Sequence, residues 1–350
     1  YGYFLQYVLG LRPRKRAELS ADQSGTLMHW VLQMALDPHP GPDNPCAGLQ
    51  PFLDLDDEAM AVLAGLLVDE YAKRYLPEDT ARFAYLLSRL KKSMTGLLCY
   101  LRDEQRQSCF KPVACELKIG RGEDAVPPQL YHLSDGRTVQ LIGTVDRADE
   151  WVEEDGTRWV RVVDYKTGTK KLDLKEVYCG LDCQMLLYLF TLERNGDSLF
   201  PAPAAAGVEY LLADPAPESV PRQEVSGEDA DLQPTYPLNG LLLDNESIYR
   251  AMDTRGTGEF VPLNFSAKTG RITNSKGRLA DEAKLRRIRD HLDGLLTQMA
   301  QDLYGGEIDA KPLCSGARSP CTYCEFRMAC RHRDGEHERT PAVPDEPFEE

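Results

Sequence analysis

Two neighbouring stretches of sequence decide how this chain is expected to fold: Gly143-Thr-Val-Asp-Arg147 and Val162-Val-Asp-Tyr-Lys-Thr-Gly168. Both stretches lie in segments rich in β-branched residues, and the Asp155-Gly156 dipeptide between them is typical of a tight hairpin turn. Asp164 and Lys166 are two positions apart, so their side chains share one face of the second strand. The pattern predicts a β-hairpin that carries two aspartates and a lysine near one end.

The register of this hairpin decides whether Asp146 and Asp164 point the same way. A two-residue loop would place Asp146 opposite Tyr165, on the wrong face. A three-residue loop, Glu154-Asp-Gly156, with Gly156 in the left-handed conformation, pairs position 146 with position 164. We predict the three-residue loop, because only that register brings the two carboxylates together.

This arrangement of side chains indicates a chemistry. Two carboxylates held close together repel each other unless a cation lies between them. Mg²⁺ prefers oxygen ligands and accepts phosphate oxygens, and a bound metal ion lowers the pKa of water. Lys166 would add a positive charge near a scissile phosphate. A lone Asp-x-Lys is more commonly a surface salt bridge, but the two stretches together favour a magnesium-dependent phosphodiesterase, in the first place a DNA nuclease.

The net charge of −15 over 350 residues argues weakly against nucleic acid as a partner. Local charge decides binding, however, and the basic residues are clustered. The three clusters are Arg12, Arg14, Lys15 and Arg16; Lys166, Lys170 and Lys171; and Lys276, Arg278, Lys284, Arg286, Arg287 and Arg289. Each cluster taken alone is compatible with a solvated surface, so the clusters permit DNA binding without requiring it.

The rest of the composition is typical of a soluble protein. There is no apolar run of 18 residues and no signal peptide, and ten cysteines, six of them scattered, in a large acidic chain do not resemble a secreted disulfide framework. We therefore expect a cytoplasmic protein without a membrane span. The chain begins at Tyr1 within an apolar helical pattern, which suggests a fragment of a longer protein or a missing disordered start.

The periodicity along the chain predicts an α/β fold, with a small mixed sheet flanked by helices. Strands are expected at Pro112–Ile119, Thr138–Val152, Arg158–Lys166 and Gly207–Leu212, and helices at Asp56–Tyr75, Asp79–Glu104, Lys175–Leu192 and Leu279–Leu303. The predicted parts are a helical region over 1–110, a catalytic core over 111–213, an insertion with loops over 214–277, a helix with a cysteine cluster over 278–335, and a disordered acidic tail over 336–350. Within the insertion, Pro215–Pro237 is expected to be a long loop.

Several motifs occur in the order typical of one nuclease family. Gly25-Thr-Leu-Met-His29, Gly143–Arg147, Asp164–Gly168 and Gln184-Met-Leu-Leu-Tyr188 resemble the successive motifs of the RecB-type PD-(D/E)XK nucleases. The opening Tyr3-Phe-Leu5 and the cysteine-rich end are similar to the C-terminal nuclease domains of AddB-type subunits in AddAB helicase–nucleases. The resemblance runs over nearly the whole chain and implies a restriction-endonuclease-like core.

The resemblance implies a role for each matching residue. Asp146, Asp164 and His29 would bind Mg²⁺, and Lys166 would be catalytic. Gln184 and Tyr188, one helical turn apart, would border the site together. Glu116 is a further candidate metal ligand, and Arg147, Lys170 and Lys171 are candidate DNA-binding residues. Taken alone, His29, Gln184 and Tyr188 would each be interpreted as ordinary helix residues.

Four cysteines crowd into the sequence Cys314-x6-Cys321-x2-Cys324-x5-Cys330. Thiolates at such spacing bind zinc or an iron–sulfur cluster, and spacing alone does not choose between them. The resemblance implies a [4Fe–4S] cluster on Cys321, Cys324 and Cys330, with a distant fourth cysteine just before the Tyr-Phe-Leu segment. This sequence does not contain that cysteine, so Cys314 is either a substitute ligand or a bystander, and we expect that the cluster can be absent from this chain.

Three functional hypotheses follow. The leading one is an Mg²⁺-dependent exonuclease domain of an AddAB-type helicase–nuclease, which acts on single-stranded DNA ends during double-strand break repair beside an AddA-like helicase–nuclease subunit. The second is another RecB-type iron–sulfur nuclease of the CRISPR-associated kind, which the long N-terminal helical region disfavours. The third is a non-catalytic DNA-binding module with the same fold, which the intact Asp146, Asp164 and Lys166 argue against.

Overall fold

The computed structural model describes residues 4–11, 21–76, 81–122, 125–213, 235–266, 268–275, 277–314 and 319–349. The strands in these residues are β1 (Lys111–Ile119), β2 (Gln129–His132), β3 (Thr138–Leu141), β4 (Gly143–Val152), β5 (Arg158–Lys166), β6 (Pro203–Leu212), β7 (Leu238–Leu243), β8 (Asn264–Phe265), β9 (Ile272–Asn274) and β10 (Leu279–Ala280). Six of them form one mixed sheet in the order β1-β4-β5-β6-β7-β10. Within this sheet the β5–β6 and β7–β10 pairs are parallel, and the other neighbours are antiparallel.

Helices cover both faces of the sheet. They are α1 (Ala21–Leu36), α2 (Asp57–Tyr75), α3 (Ala81–Gln107), α4 (Leu174–Tyr178), α5 (Gln184–Asn195), α6 (Glu246–Met252), α7 (Glu282–Tyr304) and α8 (Arg327–Cys330). Short helical turns of other types form at Phe4–Val8, Phe52–Asp54 and Pro320–Thr322. Among the residues described above, no helix combines the length and the hydropathy that a membrane crossing requires.

Two hydrophobic cores lie on opposite sides of the sheet. The apolar faces of α1, α2 and α3 pack against one side, where Val163 and Tyr165 of β5 point. Helices α4 to α7 cover the other side, where Val160 and Val162 of the same strand point. This alternation is the period-two pattern of a strand buried on both faces. The predicted α/β fold, a small mixed sheet flanked by helices, is confirmed.

The predicted hairpin register is confirmed as well. The pairs from Arg147 opposite Val163 to Val152 opposite Arg158 follow the register that places position 146 level with position 164. Gly156 has a φ of 92°, and its N–H donates to the carbonyl of Glu153 over 2.9 Å, which closes the turn. A left-handed glycine at this position is what a three-residue loop requires.

Several features differ from the sequence-based expectations. Strand β7 and helix α6 lie within 214–277, where an insertion with loops was predicted, and Leu279–Ala280 forms β10 instead of the start of a helix. The single helix predicted over Lys175–Leu192 is divided into α4 and α5, because Gly180 and Asp182 between them adopt positive φ values of 80° and 53°. The segment Thr138–Val152 forms two strands, β3 and β4, instead of one. Most of the loop predicted over Pro215–Pro237 lies outside the described residues.

The acidic tail also differs from the expectation. We predicted disorder over 336–350, but Phe348 is 8% exposed and belongs to the core beside α4 and α7. Its backbone carbonyl accepts a hydrogen bond from Arg287 Nε over 2.8 Å. The buried Phe348 ring, this hydrogen bond and the pairing of Arg339 with Leu313 hold the tail on the domain, which composition alone does not reveal.

Candidate active site

The candidate site forms where strands β4 and β5 separate. Their ladder ends at the pair Arg147–Val163, whereas β5 stays paired with β6 as far as Lys166. At the point of separation the backbone N–H of Tyr165 donates to Asp146 Oδ2 over 3.1 Å. The Asp146 carboxylate thus accepts from a backbone N–H that lies beyond the end of the β4–β5 ladder. This bond fixes the carboxylate at the point where the two strands separate, which is called the fork below.

Glu116 on the neighbouring strand β1 faces the same fork. Cys115 pairs with Arg147 and Leu117 pairs with Val145, so Glu116 lies level with Asp146. Its φ of 50° is in the left-handed region, which is uncommon for a residue with a side chain. Such a backbone costs about 1–3 kcal/mol and persists only where the surroundings impose it, often at functional sites.

His29 on α1 completes this group from above the sheet. Its Nδ1 lies 3.3 Å from Asp146 Oδ2 and 3.7 Å from Glu116 Oε1. The imidazole also meets the ring of Tyr165 edge to face, at 6.3 Å between centroids. One ligand atom from each of His29, Glu116 and Asp146 lies within 4.8 Å of the other two, and no other such group of three forms among the residues that the structure describes.

Asp164 and Lys166 lie beside this group and pair with each other. Lys166 Nζ donates to Asp164 Oδ1 over 2.9 Å and lies 2.7 Å from Oδ2. Asp164 is only 3% exposed, whereas 32% of the Lys166 side chain is exposed. Asp164 thus interacts with Asp146 and His29 through its charge but is not one of the three tightly grouped ligands.

The electrostatics of the site reflect an excess of negative charge. Burial and the repulsion of Asp164 raise the pKa of Asp146 to about 7. Burial also raises the pKa of Asp164, against the stabilising charge of Lys166. Burial would lower the pKa of His29, but the hydrogen bond to Glu116 and the charge of Asp146 outweigh it and raise the pKa. All three shifts have the direction expected where carboxylates crowd together without a cation.

The donor set therefore fits a divalent metal ion. An imidazole nitrogen and two carboxylate oxygens converge from α1, β1 and β4, and a third carboxylate is held close by Lys166. Carboxylate oxygens of Glu116 and Asp146 lie within 4.8 Å of each other, and a bound cation would neutralise their repulsion. His29 and Asp146 were expected at this site, and Glu116 was a further candidate. Asp164 lies beside this group, and its expected role as a metal ligand stays a prediction.

Arg147 does not lie at the surface, and the expectation that it binds DNA is wrong. It is 0% exposed and forms bonds to Glu104 of α3, Asp149 of β4 and the hydroxyl of Tyr165. Arg161 of β5 lies beside it. A guanidinium without access to solvent cannot reach a phosphate. The charge of Arg147 is instead paired with Glu104 and Asp149 inside the protein.

Arg147 belongs to a network of five buried charged residues that the sequence did not reveal. The second arginine, Arg161, bonds to Asp149 and Glu209 over 2.8 and 3.0 Å and also pairs with Glu104. The network joins α3 to strands β4, β5 and β6 directly behind the fork. The one signal in the sequence was the opposite charge of Arg147 and Asp149 at alternating positions of a predicted strand.

Gln184 and Tyr188 contact each other on α5, and their place at the border of the site stays a prediction. Gln184 Nε2 donates to Tyr188 Oη over 3.1 Å, with Gln184 exposed and Tyr188 buried. Tyr188 packs so closely on β4 that a Cβ on Gly143 would lie 2.3 Å from its hydroxyl oxygen. The glycine that opens the first motif is therefore needed for the contact between helix and strand.

The two lysines expected to bind DNA lie on the loop after β5. Lys170 forms an ion pair with Asp182, and its charge also acts on Asp164. Lys171 is exposed. The first basic cluster, Arg12–Arg16, falls outside the described residues.

The cysteine-rich segment is described from residue 319 onward, together with Cys314. Cys314 is buried, and its N–H donates to the carbonyl of Arg339 over 2.9 Å. Cys321, Cys324 and Cys330 are half-buried free thiols around a short helical turn and α8. Free thiols in this number suit a metal or cluster chemically. Among the described residues, however, no three of these sulfur atoms lie within 4.8 Å of one another, so the structure does not bring the expected cluster ligands together.

Comparison with known proteins agrees with this geometry. The sequence profile of the PD-(D/E)XK nuclease superfamily matches residues 1–331. Proteins named as a subunit of an ATP-dependent helicase/deoxyribonuclease are similar to the chain over 95% of its length: 28% identical in Oceanobacillus iheyensis, 29% in Exiguobacterium sibiricum and 28% in Clostridium kluyveri. The chain spans 28–29% of the length of these relatives.

Proposed function

The chain belongs to the PD-(D/E)XK nuclease superfamily, and we propose that it is the metal-dependent DNA exonuclease part of an AddAB-type helicase–nuclease. It would hydrolyse phosphodiester bonds of single-stranded DNA during double-strand break repair in the cytoplasm. The observation that carries this proposal is the convergence of His29, Glu116 and Asp146 beside the Asp164–Lys166 pair.

Each side chain of the site has a role in the proposal. His29, Glu116 and Asp146 would hold Mg²⁺, with Asp164 as a further ligand or charge partner. When bound, the ion would polarise a phosphate oxygen and lower the pKa of a water molecule. Lys166 is held by Asp164 yet partly exposed, so its ammonium can reach a phosphate and stabilise the charge that develops there.

The side chains around the site would position the DNA. The exposed amide of Gln184, oriented by the hydroxyl of Tyr188, would border the reacting strand. Lys170 and Lys171 would contact the backbone on the other side of Lys166. Since the relatives are named as subunits of a helicase/deoxyribonuclease, a second, AddA-like subunit is the proposed partner.

The decisive experiment follows the degradation of end-labelled single-stranded DNA with Mg²⁺ and with EDTA. We expect degradation by the wild-type chain with Mg²⁺ only. Asp164→Asn and Lys166→Ala should each reduce the rate by at least about 100-fold, because each removes charge at the reacting centre. Glu150→Gln, on the same sheet but paired with Arg158, is the matched control and should retain the wild-type rate. Full activity in Asp164→Asn would remove the proposed mechanism.

We further propose an iron–sulfur cluster on Cys321, Cys324 and Cys330, with Cys314 as a possible fourth ligand. The support is chemical, because four free thiols lie within one short segment. Anaerobically purified protein should be brown with broad visible absorbance, whereas a zinc protein would be colourless. Cys324→Ser should lose the absorbance and Cys109→Ser, an exposed cysteine of the same chain, should keep it. Absorbance that persists in Cys324→Ser would show that the chromophore does not depend on Cys324 and would contradict this cluster.

A further inference from the structure

Two basic clusters that are far apart in sequence line one groove. Lys171 and Lys175 follow β5 in the sequence, whereas Arg278 and Lys284 lie about 100 residues later, and all four line the groove. The groove has a volume of about 810 Å³ and also contains the side chains of Asp173 and Asp244. Apart from the acidic tail, its charged lining therefore carries four positive and two negative groups.

The groove is connected to the candidate active site by the loop that follows β5. Lys166 ends β5, and the loop that follows leads within five residues to Lys171. Lys170, one residue earlier, acts through its charge on Asp164. A strand of nucleic acid that leaves the site along this loop would thus meet Lys170, Lys171 and Lys175 in turn.

The acidic segment Asp345–Glu349 of the same chain also lines this groove. Glu349 forms an ion pair with Lys284, and Asp345 Oδ1 lies 3.8 Å from Lys175 Nζ. Three of the five residues in the segment carry a carboxylate. The segment therefore presents to the basic groove the same kind of negative charge that a phosphate backbone would present.

One buried side chain anchors the segment. The Phe348 ring lies 5.6 Å from that of Tyr178 and 5.4 Å from that of His291, between centroids, and these two rings stack on each other at 4.6 Å. The ion pairs around the anchor are at least partly exposed and are therefore individually weak. The segment is held by the Phe348 ring, by the hydrogen bond from Arg287 to the Phe348 carbonyl and by charges that another anion can replace.

On the basis of the proposed function, we propose that this groove is a binding track for the backbone of single-stranded DNA and that the acidic segment Asp345–Glu349 competes with the DNA for it. Phosphates would bind to Lys171, Lys175, Arg278 and Lys284 once the segment is displaced. The segment thereby keeps the track closed to weakly bound anions and opens it to a long polyanion that makes several contacts at once.

Binding of a fluorescein-labelled oligo(dT) in EDTA tests this proposal without any cleavage. The variant with Asp345→Asn, Glu346→Gln and Glu349→Gln should bind about tenfold more tightly at low salt, because the competing charge is gone. Phe348→Ala, which releases the segment without changing its charge, should also bind more tightly. Unchanged affinity in the neutralised variant would overturn the proposal.

A matched control separates this effect from the net charge of the protein. Asp43→Asn, Glu58→Gln and Glu154→Gln together remove three exposed carboxylates that lie outside the groove. This variant has the same net charge as the neutralised one and should bind the oligonucleotide no more than about twofold more tightly, since distant charges are screened. An equal gain in affinity would show that only the net charge acts, and the proposal would fail.

The salt dependence of binding tests the track itself. In the neutralised variant, adding Lys171→Gln and Lys175→Gln should reduce the slope of log affinity against log salt by about 1.4, or about 0.7 for each phosphate that is no longer bound. An unchanged slope would place the DNA elsewhere. If the binding results are as expected but the wild-type chain shows no Mg²⁺-dependent cleavage, the proposed nuclease function is contradicted and the binding track is not. If cleavage occurs without these binding effects, only the binding track is contradicted.

Discussion

The Asp146 carboxylate takes part in three interactions. It accepts the backbone N–H of Tyr165 where β4 and β5 separate, it lies within 3.3 Å of His29, and it is repelled by Asp164. The hydrogen bond explains its position, and burial together with this repulsion explains the rise of its pKa to about 7. A carboxylate in this position is stabilised by a cation and destabilised without one.

Metal binding should therefore raise the thermal stability of the protein. We expect Mg²⁺ or Mn²⁺ in excess to raise the Tm of the wild-type chain by roughly 2–8 °C, because ions that bind only the folded state stabilise it. Asp146→Asn should abolish this shift and should have a higher Tm than wild type in EDTA, because it removes the repulsion. Glu150→Gln on the same strand should behave like wild type. A metal-induced shift that persists in Asp146→Asn would exclude this residue as a ligand.

Gly143 provides a second test at a single residue. An added Cβ would lie 2.3 Å from the Tyr188 hydroxyl oxygen and 2.6 Å from a ring carbon, so Gly143→Ala must push α5 away from β4. We expect a loss of about 1–3 kcal/mol in the free energy of urea unfolding. Gly294→Ala, in open space on α7, should instead stabilise by up to about 1 kcal/mol. Equal stability of Gly143→Ala and wild type would mean that α5 can move away without loss.

At the scale of the elements, the buried network joins α3 to three strands of the sheet. Arg147 and Arg161 share Glu104 and Asp149, and Arg161 also bonds to Glu209. Buried ion pairs are weak evidence for stability as such, but removal of one partner leaves charges without compensation. The network thus fixes how the helical layer lies behind the fork.

Removing one arginine tests this function of the network. Arg161→Met leaves Glu104, Asp149 and Glu209 with a single arginine, so we expect a loss of about 3–5 kcal/mol in the free energy of unfolding. Arg158→Met, on the same strand but half-exposed, should cost no more than about 1 kcal/mol. A loss as small in Arg161→Met as in Arg158→Met would contradict a structural role for the network.

The network also predicts a pH dependence. Burial raises the pKa of Glu209 to about 7, although Arg161 attracts its charge. The folded state then binds more protons than the unfolded state, in which the pKa is about 4.3, so stability is lost as the pH rises between these values. Glu209→Gln should lose less stability than wild type between pH 5 and pH 8, by about 1–3 kcal/mol in urea unfolding. Parallel pH profiles of the two proteins would contradict the raised pKa.

At the scale of the whole molecule, the parts that local patterns determine were predictable. The loop Glu154–Gly156 set the hairpin register, and the alternation in β5 set its two buried faces. Long-range packing was not predictable in the same way. Arg147 carries the sequence signal of a surface charge, and only the proximity of Glu104, more than 40 residues away, shows that it is buried.

The same distinction applies to the tail and to the site. Nothing in the sequence 336–350 indicates that Phe348 reaches the core, because its partners Tyr178 and His291 lie on α4 and α7. Glu116 was a weak candidate because its position depends on a left-handed backbone inside a strand, which no local pattern predicts. The motifs identified the chemistry, and the tertiary fold decided which carboxylates meet.

The central claim is that His29, Glu116 and Asp146 hold a divalent metal ion. Anomalous diffraction from crystals of the wild-type chain soaked in Mn²⁺ tests it most directly, because the signal locates the ion without reference to activity. We predict an anomalous peak between these three side chains in the wild-type crystals. The peak should be absent from crystals of Asp146→Asn soaked in the same way. A wild-type structure with no peak there, or with manganese bound only at other residues, would contradict it.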